Sequence, residues 1–470
     1  MRSILVPAAL IELTGLIQQY LLLAKGQDFD IQDIELGVSS GSFFTINQSD
    51  SAIRLATDLL DDVFDEGHSF VLYYNQKLAV ADYASQSKGA AYIAVDCSEH
   101  YRGKHPLNQM DIWLSPESGQ VHAQEVSCAL AQYFTPEQHL SWLVTLLALE
   151  FSFEDCLVLA RAMLNRETNV SRETYFDDSL CSSVLAQWPC DVALFPKPIL
   201  AYPQLGIKAL RLLAPLSSGF PAIPERSLGF YPIVDNVDWI EKLLGLGVKA
   251  IQLRIKSTDQ QYIEQQVIKA IELGRLYEAQ IFINDYWQLA IKYGAYGVHL
   301  GQEDIEKANL DLIQKAGLRL GLSSHGYYEI LRVLHIRPSY IAFGPIFESK
   351  TKLVNSNPQG LVRLSLYQKL MESHLFQALE QARDKPKTKC SHYDVGAVPT
   401  VAIGGINVSN AESVWQCGVS SLSVVGAITS AQSLHSVVSF FSGLTQSKAS
   451  EAITDDAVAA QTVGSVYAHR

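Results

Sequence analysis

The stretch AIQLRIK, Ala250 to Lys256, decides how the second half of this chain is read. It alternates in polarity and is bounded by Gly247 and by Ser257-Thr258-Asp259, so it predicts a β-strand. Side chains on a strand alternate faces. Ile251, Leu253 and Ile255 then share one face, and Gln252, Arg254 and Lys256 share the other. A polar face with two cations is either a solvated surface or a place that holds an anion. The neighbouring sequence discriminates between them.

Outward from this strand the chain keeps a rhythm. Apolar runs recur at LGFYPIVD (228–235), VKAIQLRIK (248–256), AQIFIND (279–285), YGVHLG (296–301), LRLGLSS (318–324), YIAFGPI (340–346), VPTVAIGGI (398–406) and SLSVVGAI (421–428). Helix-like segments separate most of them, such as 258–279 and 407–418. Strands that alternate with helices imply parallel βαβ units. Eight units predict a (β/α)8, or TIM, barrel, a fold of about 250 residues. A polar insertion near 365–395 interrupts the interval between the sixth and seventh strands and reads as a surface loop. In a closed barrel neither strand face is solvated. Gln252, Arg254 and Lys256 must then point into the barrel mouth. Two buried cations need a partner, which is a ligand or an internal layer of Asp and Glu.

The other strand ends carry polar groups in phase. Asn284-Asp285 close the third strand, and Asp304 follows the fourth in GVHLGQED. Two carboxylates on adjacent strands suit Mg²⁺, which takes one or two carboxylates plus waters and substrate phosphates. An Asp after a strand is also an ordinary helix N-cap. Ser323-Ser324-His325 close the fifth strand; Ser349, Thr351 and Lys352 follow the sixth. Gly404-Gly405 end the seventh strand, and Val425-Gly426 the eighth. Such glycines let backbone N–H groups approach a phosphate, or simply make a tight turn. The inventory describes a pyrophosphate site with cations and Mg²⁺ beside a monophosphate site of hydroxyls and amides.

The motifs QLRIK, IND, GVHLGQED, GLSSH, GPIFESKTK, PQG (358–360) and AIGGI resemble, in order, those of thiamine phosphate synthases (thiamine-phosphate pyrophosphorylases) over residues 228–430. The resemblance implies a transferase. It would join hydroxymethylpyrimidine diphosphate to a thiazole phosphate and release pyrophosphate, with the pyrimidine–oxygen bond breaking first. It also implies Mg²⁺ on Asp285 and Asp304. Gln252, Arg254, Lys256, Asn284, Ser323 and Lys352 would hold the pyrimidine diphosphate, with Arg254, Lys256, Ser323 and Lys352 catalytic. Ser349, Thr351, Gly405, Val425 and Gly426 would hold the thiazole phosphate. Glu348 stands where the family carries Pro, Ser349 where it carries Thr, and Gly426 where many members carry Ser. None of these changes removes a charged group. Two other readings remain: a thiazole tautomerase with His325 as acid/base, which needs no metal pair, and a non-catalytic thiamine-phosphate-binding fusion.

The full chain of 470 residues exceeds one ordinary domain. Its net charge of −13 argues against nucleic acid and anionic membranes and leaves small-molecule substrates. Seven cysteines, an odd number and none in CxxC spacing, predict reduced thiols in a cytoplasmic protein. The apolar start, MRSILVPAALIELTGLIQQYLLL, is interrupted by Glu12 and Gln18-Gln19 and predicts a buried element rather than a leader or span. Whether the chain forms a homo-oligomer is left open. The expected order is a separate α/β domain over 1–200, a Pro/Gly/Ser-rich linker over 201–225, the barrel over 226–445 and a loose tail over 446–470. In the first domain FVLYYNQKLAVADY and GAAYIAVD read as strands. HLSWLVTLLALEFSFEDCLVLARAMLN (139–165) reads as two consecutive helices with Ser152 as N-cap. It resembles the C-terminal part of hydroxymethylpyrimidine phosphate kinases of ribokinase-like fold. Their Gly-Thr-Gly-Cys motif is replaced by His139-Leu-Ser-Trp142, which implies a degenerate, non-phosphorylating domain. An unrelated α/β domain is the other reading.

Overall fold

The computed structural model describes residues 2–60, 67–76, 78, 80–96, 109–126, 134–173, 188–207, 219–348, 357–383 and 398–446. The chain divides into two compact units. One is Met1–Leu210 with Gly326–Arg332; the other is Arg211–His325 with Val333–Arg470.

The first unit is built on a mixed nine-stranded sheet. Its strands are β1 (Arg2–Pro7), β2 (Ile34–Ser39), β3 (Phe44–Asn47), β4 (Ala52–Thr57), β5 (Phe70–Tyr73), β6 (Ala90–Asp96), β7 (Gln109–Leu114), β8 (Val121–Val126) and β9 (Lys197–Pro198). Their order in space is β2-β1-β3-β4-β5-β6-β7-β8-β9. The apolar N-terminus is a buried element, as expected: β1 leads into the helix Leu13–Lys25, which packs Leu13, Ile17, Tyr20, Leu21 and Ala24 inward. The strand expected at 70–83 is shorter. It stops at Tyr73, and Val80–Ser85 is a 3-10 turn.

The two consecutive helices run Pro136–Ala148 and Phe153–Glu173. Ser152 caps the second, its Oγ accepting from Asp155 N at 3.2 Å. The first begins with Thr135 as N-cap and Pro136 in the first turn. His139 to Trp142 therefore lie inside a helix and are buried, so no glycine-rich amide cradle opens it. Beneath these helices sits a closed polar knot. Arg161 donates to both carboxylate oxygens of Asp111, at 2.8 and 2.6 Å. Gln124 Nε2 and Ala94 N donate to the same carboxylate. Burial alone would raise the Asp111 pKa, but the Arg161 charge and hydrogen bonds outweigh it and hold it below its ordinary value. A buried pair this well satisfied is a structural element.

The second unit is a closed barrel of eight parallel strands, as the rhythm of the sequence predicts. They are β10 (Gly229–Val234), β11 (Ala250–Leu253), β12 (Gln280–Asn284), β13 (Gly297–Leu300), β14 (Arg319–Ser324), β15 (Tyr340–Phe343), β16 (Thr400–Ile403) and β17 (Ser421–Val424). β10 pairs with both β11 and β17, which closes the ring. Strands covered on both faces read as unbroken apolar runs. Side-chain oxygens start the outer helices. Asn236 caps Val237–Gly245, and Asp259 caps Gln260–Leu276. Large rings fill the interior where a facing strand carries glycine. A Cβ on Gly321 would fall 2.1 Å from the Tyr340 ring, and one on Gly297 would fall 2.5 Å from Phe282.

Two expectations are corrected. The strand AIQLRIK ends at Leu253, so alternation stops there and Arg254 to Lys256 belong to the following loop. The interval between the sixth and seventh barrel strands is not a loop throughout. Gly360–Arg383 is a helix that buries Leu364, Leu366, Tyr367, Leu370 and Met371. Apolar spacing within LVRLSLYQKLM pays for this helix, and the polar stretch beyond 383 lies outside the described residues. Residues 208–218 of the expected linker and nearly all of the expected tail also lie outside them. Among the described residues no helix is long and apolar enough to cross a membrane.

Candidate active site

The barrel mouth opens into a cavity of about 930 Å³ at the C-terminal ends of the strands, where βα loops place catalytic groups in this architecture. β11 and its loop bring Gln252, Arg254 and Lys256 to it. Gln252 is nearly sealed and donates from Nε2 to the Tyr231 hydroxyl at 3.1 Å. Because the strand has already ended, Ile255 reaches the cavity as well as Arg254 and Lys256.

β12 delivers Asn284 and Asp285. Asp285 sits in the left-handed region at φ 64°, a conformation Asp tolerates better than most residues but which still costs energy. Its amide donates to His299 O on β13, and Trp287 N donates back to its carbonyl, so the turn is tied at both sides. Asp304 also lines the cavity, from the third position of the helix Gln302–Lys307. Its Oδ2 accepts from Gly301 N at 3.1 Å. Asp304 is not the N-cap that the sequence also allowed: Gly301 holds that position, and one Asp304 oxygen serves the helix start from the third residue. Among the described residues no three His, Cys, Asp or Glu side chains gather as a metal cluster. Asp285 and Asp304 line one cavity from the ends of adjacent strands, and such a pair is a donor set of the kind Mg²⁺ takes together with waters and phosphate oxygens.

β14 supplies Ser323, and His325 follows it into the same wall. Gly405, Val425 and Gly426 line the same cavity from the ends of β16 and β17. The Gly404-Gly405 turn needs glycine for its own sake. Both residues have positive φ, and a Cβ on Gly405 would meet Glu348 O at 2.6 Å. The same turn presents backbone to the cavity. The loop Gly344–Glu348 is clipped from two sides. Ile346 N and Phe347 N donate to Ile403 O and Gly404 O, and Gln359 N of the PQG motif donates to Pro345 O. Ser349, Thr351 and Lys352 lie outside the described residues.

Sequence reasoning missed the residues underneath. Tyr231 and His299 reach the cavity, and Tyr340 stands behind them. The available signal was a histidine at the same inward register in GVHLG as the polar groups of neighbouring strands, and two tyrosines inside otherwise apolar strands.

A parallel eight-stranded barrel with cations, carboxylates and backbone amides around one mouth has the architecture of the (β/α)8 barrel enzymes, which keep their active sites at that end. The family described as thiamine monophosphate synthase matches residues 230–428. Over 211 residues the chain is 49% identical to a thiamine-phosphate synthase of Yersinia pestis (strain Pestoides F), covering 45% of this chain and 86% of that protein. Over 212 residues it is 50% identical to one from Salmonella schwarzengrund (strain CVM19633), covering 45% and 89%. Among solved structures, a thiamine phosphate pyrophosphorylase from Pyrococcus furiosus is 25% identical with a TM-score of 0.38, covering 47% of this chain and 97% of that one. The chain belongs to the thiamine phosphate synthase family through its second half. These comparisons concern the barrel and lend no support to the kinase resemblance of residues 139–165.

Proposed function

We propose that the barrel cavity is where this chain carries out the reaction of its family. That reaction condenses 4-amino-2-methyl-5-hydroxymethylpyrimidine diphosphate with 4-methyl-5-(2-phosphoethyl)thiazole, giving thiamine phosphate and pyrophosphate. The observation that carries the assignment is the convergence of Arg254, Lys256, Asp285, Asp304 and Ser323 from four βα ends on one cavity. Arg254 and Lys256 face the diphosphate and offset the negative charge that grows on its bridging oxygen as the pyrimidine–oxygen bond lengthens. Ser323 and Asn284 orient that group, and Gln252 holds the pyrimidine ring. Gly405, Val425 and Gly426 cradle the thiazole phosphate with backbone N–H groups. Ser349, Thr351 and Lys352, which the family resemblance assigns to the two anion sites, lie outside the described residues. Asp285 and Asp304 would hold Mg²⁺, which when bound adds positive charge against the departing diphosphate. The enzyme works as a cytoplasmic protein on these small phosphorylated substrates.

The direct test is turnover of the full chain given both substrates, with Mg²⁺ and then with EDTA. Thiamine phosphate formed only with Mg²⁺ supports the assignment. Substrate binding without product would favour the binding-fusion reading. Isomerisation of the thiazole without the metal would favour the tautomerase reading through His325.

A further inference from the structure

Five side chains from five strands touch in one line across the barrel interior. Gln252 Nε2 on β11 donates to the Tyr231 hydroxyl on β10 at 3.1 Å. The Tyr231 hydroxyl lies 2.9 Å from that of Tyr340 on β15. The Tyr340 hydroxyl lies 2.8 Å from Nδ1 of His299 on β13, and His299 Nε2 lies 2.9 Å from Oγ of Ser323 on β14. Both ends of the line, Gln252 and Ser323, face the cavity. Tyr231 and His299 touch the cavity from below and Tyr340 lies behind them, with Tyr231 and Tyr340 at 1% and 0% exposure.

The line has a direction. The Gln252 amide nitrogen can only donate, so the Tyr231 oxygen accepts from it. The Tyr231 proton is buried and needs an acceptor; among the described residues Tyr340 offers one. The Tyr340 proton then goes to His299 Nδ1. A neutral imidazole with a bare Nδ1 carries its proton on Nε2, which donates to Ser323 Oγ. The hydroxyl proton of Ser323 is left for the cavity. Running the line the other way would leave the Tyr231 proton with no acceptor in the line, since the Gln252 amide nitrogen has none to offer. Burial pushes both phenols above their ordinary pKa, so each keeps its proton. Gly321 clears the slot that holds the Tyr340 ring in register.

We propose that this line is a one-way hydrogen-bond relay that sets the polarity of the pyrimidine site, turning the Gln252 oxygen and the Ser323 proton toward the substrate. The inference rests on the reading of the cavity given above. The relay selects a ligand with a hydrogen-bond donor at one end and an anionic acceptor at the other. An amino group on the pyrimidine and the diphosphate on its methylene arm meet that demand. Tyr231, Tyr340 and His299 are positioning residues, because they act through Gln252 and Ser323.

Two measurements on the full chain test it. The first compares kcat/KM for the natural pyrimidine diphosphate with that for an analogue lacking the 4-amino group. The wild type prefers the amino substrate; Tyr231→Phe and Tyr340→Phe each lose about tenfold or more of that preference, through KM, with the KM for thiazole phosphate unchanged. Variants that keep the wild-type preference overturn the relay. The second needs no variant that must fold without a tyrosine hydroxyl. In ¹⁵N-histidine-labelled wild type, with the signal assigned by its loss in His299→Gln, the relay requires the Nε2–H tautomer; the Nδ1–H tautomer or an imidazolium overturns it. Gln252→Ala and Ser323→Ala separate the two levels. If both leave the KM for pyrimidine diphosphate unchanged, the reading of the cavity falls and the relay with it. If they raise it while the tautomer or the preference comes out wrong, only the relay falls.

Discussion

At the scale of single residues, charge placement decides what the cavity does. On the proposed assignment Arg254 faces the charge that develops on the departing diphosphate, so Arg254→Ala should lower kcat by about 10²–10³, the cost of removing one preorganised donor from a transition state. Steady-state kinetics with both substrates checks it, and an unchanged kcat would remove Arg254 from the chemistry. Asp285→Asn and Asp304→Asn should each raise the Mg²⁺ concentration needed for half-maximal turnover by tenfold or more. A titration of activity against Mg²⁺ reads this directly, and an unmoved midpoint would show that the carboxylates serve only the turns they occupy. In the first unit His139 is buried, and its pKa is pushed down to about 3 by burial and by the nearby Arg161 charge. Its Nδ1 meets the Tyr74 hydroxyl at 2.9 Å. The folded state refuses a proton that the unfolded state accepts near pH 6.5. Stability attributable to His139 is therefore full above about pH 6.5 and is lost as pH falls toward 3, at up to about 1.4 kcal/mol per pH unit. Chemical denaturation of wild type and His139→Gln across this range should give curves whose difference narrows toward low pH. A constant difference would contradict the assignment.

At the scale of elements, the barrel strands were readable because coverage on both faces leaves only apolar sequence, and eight such runs stand out. Their ends were readable for a related reason: a charged group in a buried strand has to be at the mouth. What the pattern could not give was where each strand stops. Ladder pairing with both neighbours sets that limit: Arg254 N still donates to Val234 O, but no residue beyond Leu253 pairs with β10 or β12. The helix Gly360–Arg383 was obscured by the polar sequence that follows it. Packing between elements also explains glycines that local sequence does not. Gly321 has an ordinary strand conformation, yet a methyl there would collide with Tyr340. Gly321→Ala should destabilise the barrel by about 1–3 kcal/mol, the usual range for overpacking. Denaturant melts check it, and adding Tyr340→Phe should leave most of the loss in place, because the nearest clash is with the ring carbon.

For the molecule as a whole, the two units have separate sheets and separate cores. Asp111→Ala leaves the Arg161 charge buried without its partner, a change worth about 3–5 kcal/mol. Amide exchange should show lost protection across β6 to β8 and the helix Pro136–Ala148, with protection of β10 to β17 retained. Equal loss in both units would mean that they unfold as one. The sequence by itself determined the barrel, its strand order in the chain and the polar groups at its mouth, because periodicity and burial leave local signatures. It also determined the helix pair at 139–165 and its Ser152 cap. Only the tertiary structure decided that Gln252, Tyr231, Tyr340, His299 and Ser323 form one line. These residues are up to 109 positions apart, and a hydrogen bond between strands depends on barrel closure and register, which no local stretch records.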